Sequence, residues 1–524
     1  MKKLFFIALA LSMFVVACKK LDDLGEAPRL FRPAVKDALE SNGNWIKASW
    51  QVVKGSADYT AQLSVDSFKT VLVSLTSDTN VILFENLGWE KIYQVRVRAN
   101  ASDSSKNSKF AELGEIKTAR FPTILNVPGL SDINDNSVKV SWSTSGAVVT
   151  DIKILLAADS SEVAAATLDA TDIANEYKVI SGLNGNTAYI IYLYSGTTVR
   201  GWANFSTKAP LVGDLVDLRG ITGNPLILRD TIPDIASGSI IILKRGEQYN
   251  INTTINLNKT LTFVAGDDLL NPAKPLLYFT SNFNITSGSN IDSIVFNGLE
   301  LRSDNFTSRY VFNINTACNI GKLKFENCDA RVFRGVVRTQ SQPAIIGTLE
   351  MNNCIADSIR DYGIFNIDVA TSRADAIIMT NTTVFNAQKI ITSRNNSVSV
   401  LVENCTFDQA PLGGGSNYYI DYNTSASNTV SNGITVNNCI FGTGWGNNGN
   451  FNVRDVRTNA ATNIDANNNF RTSDHVSAGN DLPNINVLAI SAAQLWENPT
   501  AGNFKIINTS FTGRNTSGDP RWRP

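Results

Sequence analysis

The chain has 524 residues, 43% of them apolar, and a formal net charge of −1. This length and composition exclude a disordered chain and a single small domain, and the charge balance provides no long-range field to attract nucleic acid. One histidine and six cysteines, with no Cys-x-x-Cys pair, leave out the ligand spacing of a zinc site.

The first predicted element is an export segment. Lys2 and Lys3 give the positive start, and Leu4 to Ala17 an unbroken apolar stretch too short for a membrane span. It ends Val15-Val16-Ala17-Cys18, which resembles a lipobox, so residues 1–17 are expected to be removed and Cys18 to carry the lipid. Lys19-Lys20-Leu21-Asp22-Asp23 resembles the charged surface-export tag of Bacteroidota lipoproteins. That resemblance implies an outer-membrane protein, lipid-anchored and exposed at the cell surface, with residues 18–27 as a tether.

Two similar modules are expected next, at residues 28–120 and 121–209. The first carries Ala48-Ser49-Trp50 on an early strand, then Leu87 and Tyr93 on a late one. The second repeats the plan with Val140-Ser141-Trp142, then Leu183 and Tyr189, so the Leu-x5-Tyr spacing is identical. Each module resembles a fibronectin type III sandwich, in which the Trp fills the core and the Tyr hydroxyl pins a corner. Strand formers and Asn dominate the chain, and no long amphipathic helix is visible.

From residue 212 a repeat sets the architecture. Leu323-Lys324-Phe325-Glu326-Asn327-Cys328 returns as Leu349 to Cys354, Val400 to Cys405 and Ile434 to Cys439, with degenerate copies at Ile294 to Leu299 and Ile377 to Thr382. The residue at the end of each strand pattern falls at 298, 327, 353, 381, 404 and 438, so the period is 23 to 34 residues. Variable spacing in this range marks a solenoid with loops inserted on one side. Alternating apolar residues inside each copy are strand periodicity. Only Gly or Asn stands at the end position, and these two tolerate the left-handed backbone of a sharp bend. Strand, bend and strand, once per turn, predict a parallel β-helix over 212–470, with 471–524 as its end cap. The cysteine column reads as small buried filler: neighbouring strands about 4.8 Å apart place like Cβ atoms beyond the usual disulfide separation of about 3.8 Å. Upstream, Ile232 to Gly266 resembles the opening of pectate-lyase-like right-handed β-helices, where a short helix caps the core. The fold class expected is therefore all-β: two sandwiches followed by a right-handed parallel β-helix.

Aligning the strand that follows each bend gives an outward column of Asn313, Arg338, Asn366, Thr392, Asp421 and Arg454. Hydrogen-bonding groups about 4.8 Å apart suit an extended polysaccharide. Trp445, in the glycine-rich insertion Gly442 to Gly449, and Tyr418 and Tyr419 are candidate aromatic platforms, rings with a polar handle for a half-wet surface. The glycan-binding set is thus Arg338, Asn366, Asp421, Arg454, Tyr419 and Trp445. Outward polarity of any sheet explains the same column equally well.

No familiar catalytic constellation appears. Hydrolases of the resembled superfamily carry paired aspartates and a Gly-His-Gly, whereas the lone His475 sits in Ser473-Asp474-His475-Val476. Asp267-Asp268 lacks a partner, and no stacked acids surround Arg331, Arg334 and Arg338, although Arg360-Asp361 and Asp368 lie near in sequence. No cofactor is expected; calcium belongs only to a lyase reading. The whole chain resembles lipoproteins of Bacteroidota polysaccharide-utilisation loci, whose β-helices are domains of unknown function. Three functions follow: a surface glycan-binding lipoprotein, pectin-like in ligand by analogy and working beside outer-membrane glycan-uptake proteins; a polysaccharide lyase or glycoside hydrolase; or an adhesion module that binds protein. Whether the chain is an enzyme stays open, with few acids in the column favouring binding.

Overall fold

The computed structural model describes residues 29–119, 122–414, 417–422 and 428–524, so the export segment and Cys18 lie outside the described residues. The described chain is all-β, with three short α-helices at Ala170–Asn175, Ile227–Thr231 and Ala492–Leu495. No helix among the described residues is long and apolar enough to cross a membrane. Contacts divide the chain into two compact units, one of Met1–Val127, Val140–Lys178 and Ala188–Phe205, the other of Pro128–Lys139, Val179–Thr187 and Ser206–Pro524.

In the first unit a two-stranded sheet (Ile46–Ser49 with Val81–Phe84) and a four-stranded antiparallel sheet share one core. The four strands are, in spatial order, Val73–Ser77, Asp58–Ser64, Ile92–Asn100 and Ala111–Lys117. Trp50 is fully buried there with Tyr59 at 5.2 Å, and the Tyr93 hydroxyl accepts the Gly88 N–H at 2.9 Å. The Leu-x5-Tyr spacing thus places a core tyrosine whose polar tip closes the preceding turn. A second four-stranded antiparallel sheet follows, ordered Glu162–Thr167, Asp151–Leu156, Ala188–Ser195 and Thr198–Ser206. Tyr189 is buried and stacks on Phe205 at 5.5 Å.

The second unit is built on three parallel ladders. The first joins ten strands, from Leu215–Asp217 through Asn290–Asn297 and Cys318–Glu326 to Ile464–Asn467. Its inward columns are in register: Ile294, Leu323, Leu349, Ile377, Val400 and Ile434 in one, and Phe296, Phe325, Met351, Met379, Val402 and Val436 in the next. Every one of these side chains is buried. Phe263, Phe296 and Phe325 stack face to face at 4.9 and 5.4 Å, as identical side chains one strand spacing apart must.

After each strand of the first ladder the chain bends at Gly298, Asn327, Asn353, Asn381, Asn404 and Asn438, all with φ between 50° and 77°. These left-handed residues stand in one file and hydrogen-bond along it: Asn327 Nδ2 donates to Asn297 Oδ1 at 3.0 Å, and Asn353 Nδ2 to Asn327 Oδ1. A seventh bend, Asn468 (φ 54°), donates to Asn438 Oδ1 at 2.8 Å. The sequence pattern missed it because Asn469 stands where the other copies have Cys, Thr or Leu. Cys328, Cys354, Cys405 and Cys439 are buried free thiols. Burial raises the pKa of Cys354 and Cys405 well above that of an ordinary thiol.

The second ladder runs from Gln248–Ile251 to Ile485–Val487, and the third from Ile255–Leu257 to Arg454–Arg457. The short helix Ile227–Thr231 sends Leu228 into the core beside Ile232, closing its first end. Long parallel ladders revisited once per repeat are compatible with a β-helix.

Candidate functional site

The third ladder carries the predicted column. Its inward residues Phe312, Val337, Phe365, Ile391 and Ile420 pair in sequence and are at most 3% exposed. Asn313, Arg338, Asn366, Thr392 and Asp421 form the neighbouring file. The file continues on Arg457, not on Arg454. Val456 takes the interior slot opposite Ile420, which aligns Asp421 with Arg457 and Tyr418 with Arg454.

Two strands, Asp329–Thr339 and Ile355–Ile367, cross from the second ladder into the third. They turn through Val332 (φ 64°) and Ser358 (φ 56°), a strained conformation for a β-branched valine. Gly363 (φ 71°) then passes so close to the next strand that a Cβ would sit 2.6 Å from the Lys389 carbonyl oxygen. This tight crossing aims Arg334, Arg338, Arg360 and Tyr362 outward together.

The Arg338 guanidinium lies 3.8 Å above the Tyr362 ring and Arg334 lies 4.5 Å from the same ring, within cation–π range. Arg338 donates twice to Asp368 Oδ2, at 3.0 and 2.6 Å, and Arg394 reaches Asp368 Oδ1 at 3.3 Å. Arg334 forms a forked pair with Asp361 at 2.9 and 3.0 Å. Burial alone would raise the Asp361 pKa, but the Arg334 pair holds it below the usual carboxylate value. A second cluster repeats the plan along the file. Arg457 lies 4.5 Å from the Tyr418 ring and forks onto Asp421 at 2.7 Å twice, while Arg454 donates to the Tyr418 hydroxyl at 3.0 Å. Asp421 in turn raises the Arg457 pKa. No described carboxylate lies within ion-pair distance of Arg360, Lys389 or Arg454.

Beside these clusters, half-buried Trp445 meets half-buried Phe306 at 6.1 Å, with Arg360 6.0 Å from the Phe306 ring. The two rings come from insertions after Glu300–Ser303 and Ile440–Phe441, five steps apart along the second ladder. Trp445 is fixed by its backbone, which donates to Pro411 O at 2.9 Å and accepts from Gly413 at 2.8 Å.

Three sequence candidates do not reach this surface. Tyr419 is 3% exposed and packs into the core against Phe441 at 4.8 Å and Phe407 at 5.3 Å, its hydroxyl without a partner among the described residues. Asn366 is 2% exposed beneath the charged groups, and Asp421 is buried behind Arg457. Arg338, Arg454 and Trp445 remain at the surface, partly buried. Tyr362, Lys389, Arg394 and Arg457 were not among the candidates, and Arg334 and Arg360 were considered only for a catalytic site. One signal could have found Tyr362: Arg334-Gly335 and Tyr362-Gly363 share a glycine that opens each strand of the third ladder.

A second polar cluster lies inside. Arg471 takes the slot that Phe407 and Phe441 occupy on preceding strands and pairs with Asp455 and Asp481, each at 3.0 Å. His475 is buried; its Nδ1 donates to the Gly442 carbonyl at 2.8 Å, and its Nε2 stands 3.9 Å from Asp455 Oδ1. Desolvation pushes Asp455 and Asp408 up to about 6 and His475 down to about 4. These perturbed groups are sealed from solvent, whereas Asp361, Asp368 and Asp421 at the third ladder are each held by arginine. The outer arrangement can therefore grip with donors and rings, and its carboxylates Asp361, Asp368 and Asp421 are each paired with an arginine. Among the described residues no group of three or more His, Cys, Asp or Glu is placed to hold a metal ion.

Two family models match: a domain of unknown function (DUF4957) over residues 247–387, and a domain of unknown function (DUF5123) over residues 400–522. No curated protein matches the chain. Among solved structures, the FN1–FN3 domains of chicken CNTN1 are similar at 16% identity and a TM-score of 0.16, covering 35% of this chain and 69% of that one. The chain is thus similar to two domains of unknown function and has a fibronectin III-like structural neighbour.

Proposed function

We propose that this chain is a cell-surface lipoprotein of the Bacteroidota type that binds an extended, pectin-like polysaccharide along the third ladder. In this reading the ladders form a right-handed parallel β-helix, and two fibronectin type III-like modules hold it away from the membrane to which Cys18 is anchored. Outer-membrane glycan-uptake proteins are its natural neighbours.

The observation that carries the reading is the row of guanidinium groups seated on tyrosine rings, Arg334 and Arg338 on Tyr362, then Arg454 and Arg457 on Tyr418. Rings and guanidinium groups held by ion pairs are pre-organised, so little side-chain freedom is lost when a polymer docks. Arg360, Lys389 and Arg454, which lack a carboxylate partner among the described residues, suit uronate groups on the polymer. Arginine already neutralises the acids of this face, which supports binding over acid–base cleavage.

Affinity electrophoresis of the exported chain through gels containing pectic, xylan and glucan polymers tests this. Retardation by an acidic polymer, reduced about tenfold or more in affinity by Arg338→Ala with Trp445→Ala, is expected of central contacts. Migration unchanged by every polymer would refute the reading, and release of unsaturated or reducing ends would replace it with an enzyme.

A further inference from the structure

The C-terminal tail runs back along the file of bends. Ser517 accepts from Asn468 Nδ2 at 3.0 Å, and the Gly518 N–H donates to Asn438 O at 2.8 Å. Arg523 donates to Asn404 Oδ1 at 2.9 Å, and Arg521 to Asn353 O and Oδ1 at 2.8 and 2.7 Å. The tail thus satisfies donors and acceptors that the bends turn outward, and Arg521 marks where its cover stops.

Beyond Arg521 the same corner continues as an open groove of about 920 Å³, the walls of which include Asn353, Asn327, Asn297, Lys274 and Arg245. There the carbonyl oxygens of Gly298 and Asn327, equivalent to the Asn353 oxygen that Arg521 caps, meet no donor among the described residues. Its cations are already committed: Lys274 pairs with Asp329 at 2.9 Å, and Arg245 donates to the carbonyls of Gly266 and Pro272 at 3.0 and 3.2 Å.

From this we infer that the open corner is a second ligand site, separate from the third ladder, taking an extended neutral saccharide. The two outward carbonyls, about one strand spacing of 4.8 Å apart, suit a ligand rich in donors, and the hydroxyls of successive sugar units provide them. Hydroxyls also accept from whatever N–H groups of the amides and ammonium remain free. Lys274, Lys208 and Arg219 are each paired with a carboxylate and only Arg245 is held by carbonyls alone, so the groove offers an anionic polymer fewer unpaired cations than the three at the third ladder.

Isothermal titration calorimetry on the full exported chain with β-1,4-linked hexasaccharides of glucose, xylose and mannose tests the assignment. At least one is expected to bind, and Leu215→Trp, at a groove-lining leucine 48% exposed, is expected to weaken it about tenfold or more. Arg521→Ala, which opens one further bend, should leave affinity equal or higher. The Arg338→Ala, Trp445→Ala pair should leave it unchanged, so the two sites can fail separately. No binding of any hexasaccharide at millimolar concentration, or wild-type binding by Leu215→Trp, would overturn the inference. So would binding of the tail peptide Gly518 to Pro524 in preference to every sugar, which would make the groove a peptide site.

Discussion

Asn327→Ala and Asn327→Gly, made side by side, separate two contributions of a bend. The Asn327 side chain donates to Asn297 and accepts from Asn353. Both substitutions remove these two bonds, about 1 kcal/mol each. Alanine in addition must hold φ near 54°, which costs about 1–2 kcal/mol for a residue with a Cβ and no polar group to compensate. Glycine is spared that strain but loses about 0.5–1 kcal/mol through its freer unfolded chain. The expected order of stability is wild type, then Gly, then Ala. Alanine is about 3–4 kcal/mol below wild type, and glycine about 0.5–1 kcal/mol above alanine. Urea unfolding followed by circular dichroism reads the order from the midpoints. Alanine matching or exceeding glycine would refute the claim that the left-handed bend, as well as the amide ladder, selects asparagine.

Tyr419→Phe removes a buried hydroxyl that has no partner among the described residues, so stability should stay within about 1 kcal/mol of wild type or rise, with polysaccharide retardation unchanged. The lone imidazole gives a clean titration: in NMR spectra His475 should stay neutral to about pH 4, and titration near pH 6.5 would contradict its sealed position. Its lowered pKa contributes stability that is complete above the unfolded value of 6.5 and lost as pH falls through about 4. Asp408 and Asp455, raised to about 6, contribute in the opposite sense: stability complete below 3.8 and lost as pH rises through about 6. The slopes oppose each other between these limits, so the melting temperature of His475→Gln should rise from pH 7 to pH 5 while wild type changes less.

The parallel ladders were legible because their determinants are local. Alternation fixes which side chains face inward, and a bend that only Asn or Gly fills cheaply punctuates each strand at 298, 327, 353, 381, 404 and 438. The seventh bend, at Asn468, escaped notice because Asn469 stands where the other copies have Cys, Thr or Leu. The site was less legible for a different physical reason. Arg334–Asp361 and Arg338–Asp368 join residues 27 and 30 positions apart, and such pairs depend on register between strands. Arg454 was misplaced because Val453 and Val456 both fit an interior slot by type, and only the pairing with Ile420 decides between them. Tyr419 was misread for a similar reason: strands of the second ladder bring Phe407 and Phe441 against its ring and draw it inward. Trp445 depends on an insertion five strands away, which no local pattern announces.

Hydrogen exchange of the full chain, measured with and without a retarding polysaccharide, tests the role of the third ladder most directly. Slowed exchange confined to residues 331–338, 358–368, 389–394 and 442–457 is the expected result. Protection confined to the sandwich strands before residue 206, or none anywhere while the polymer is bound, would contradict it.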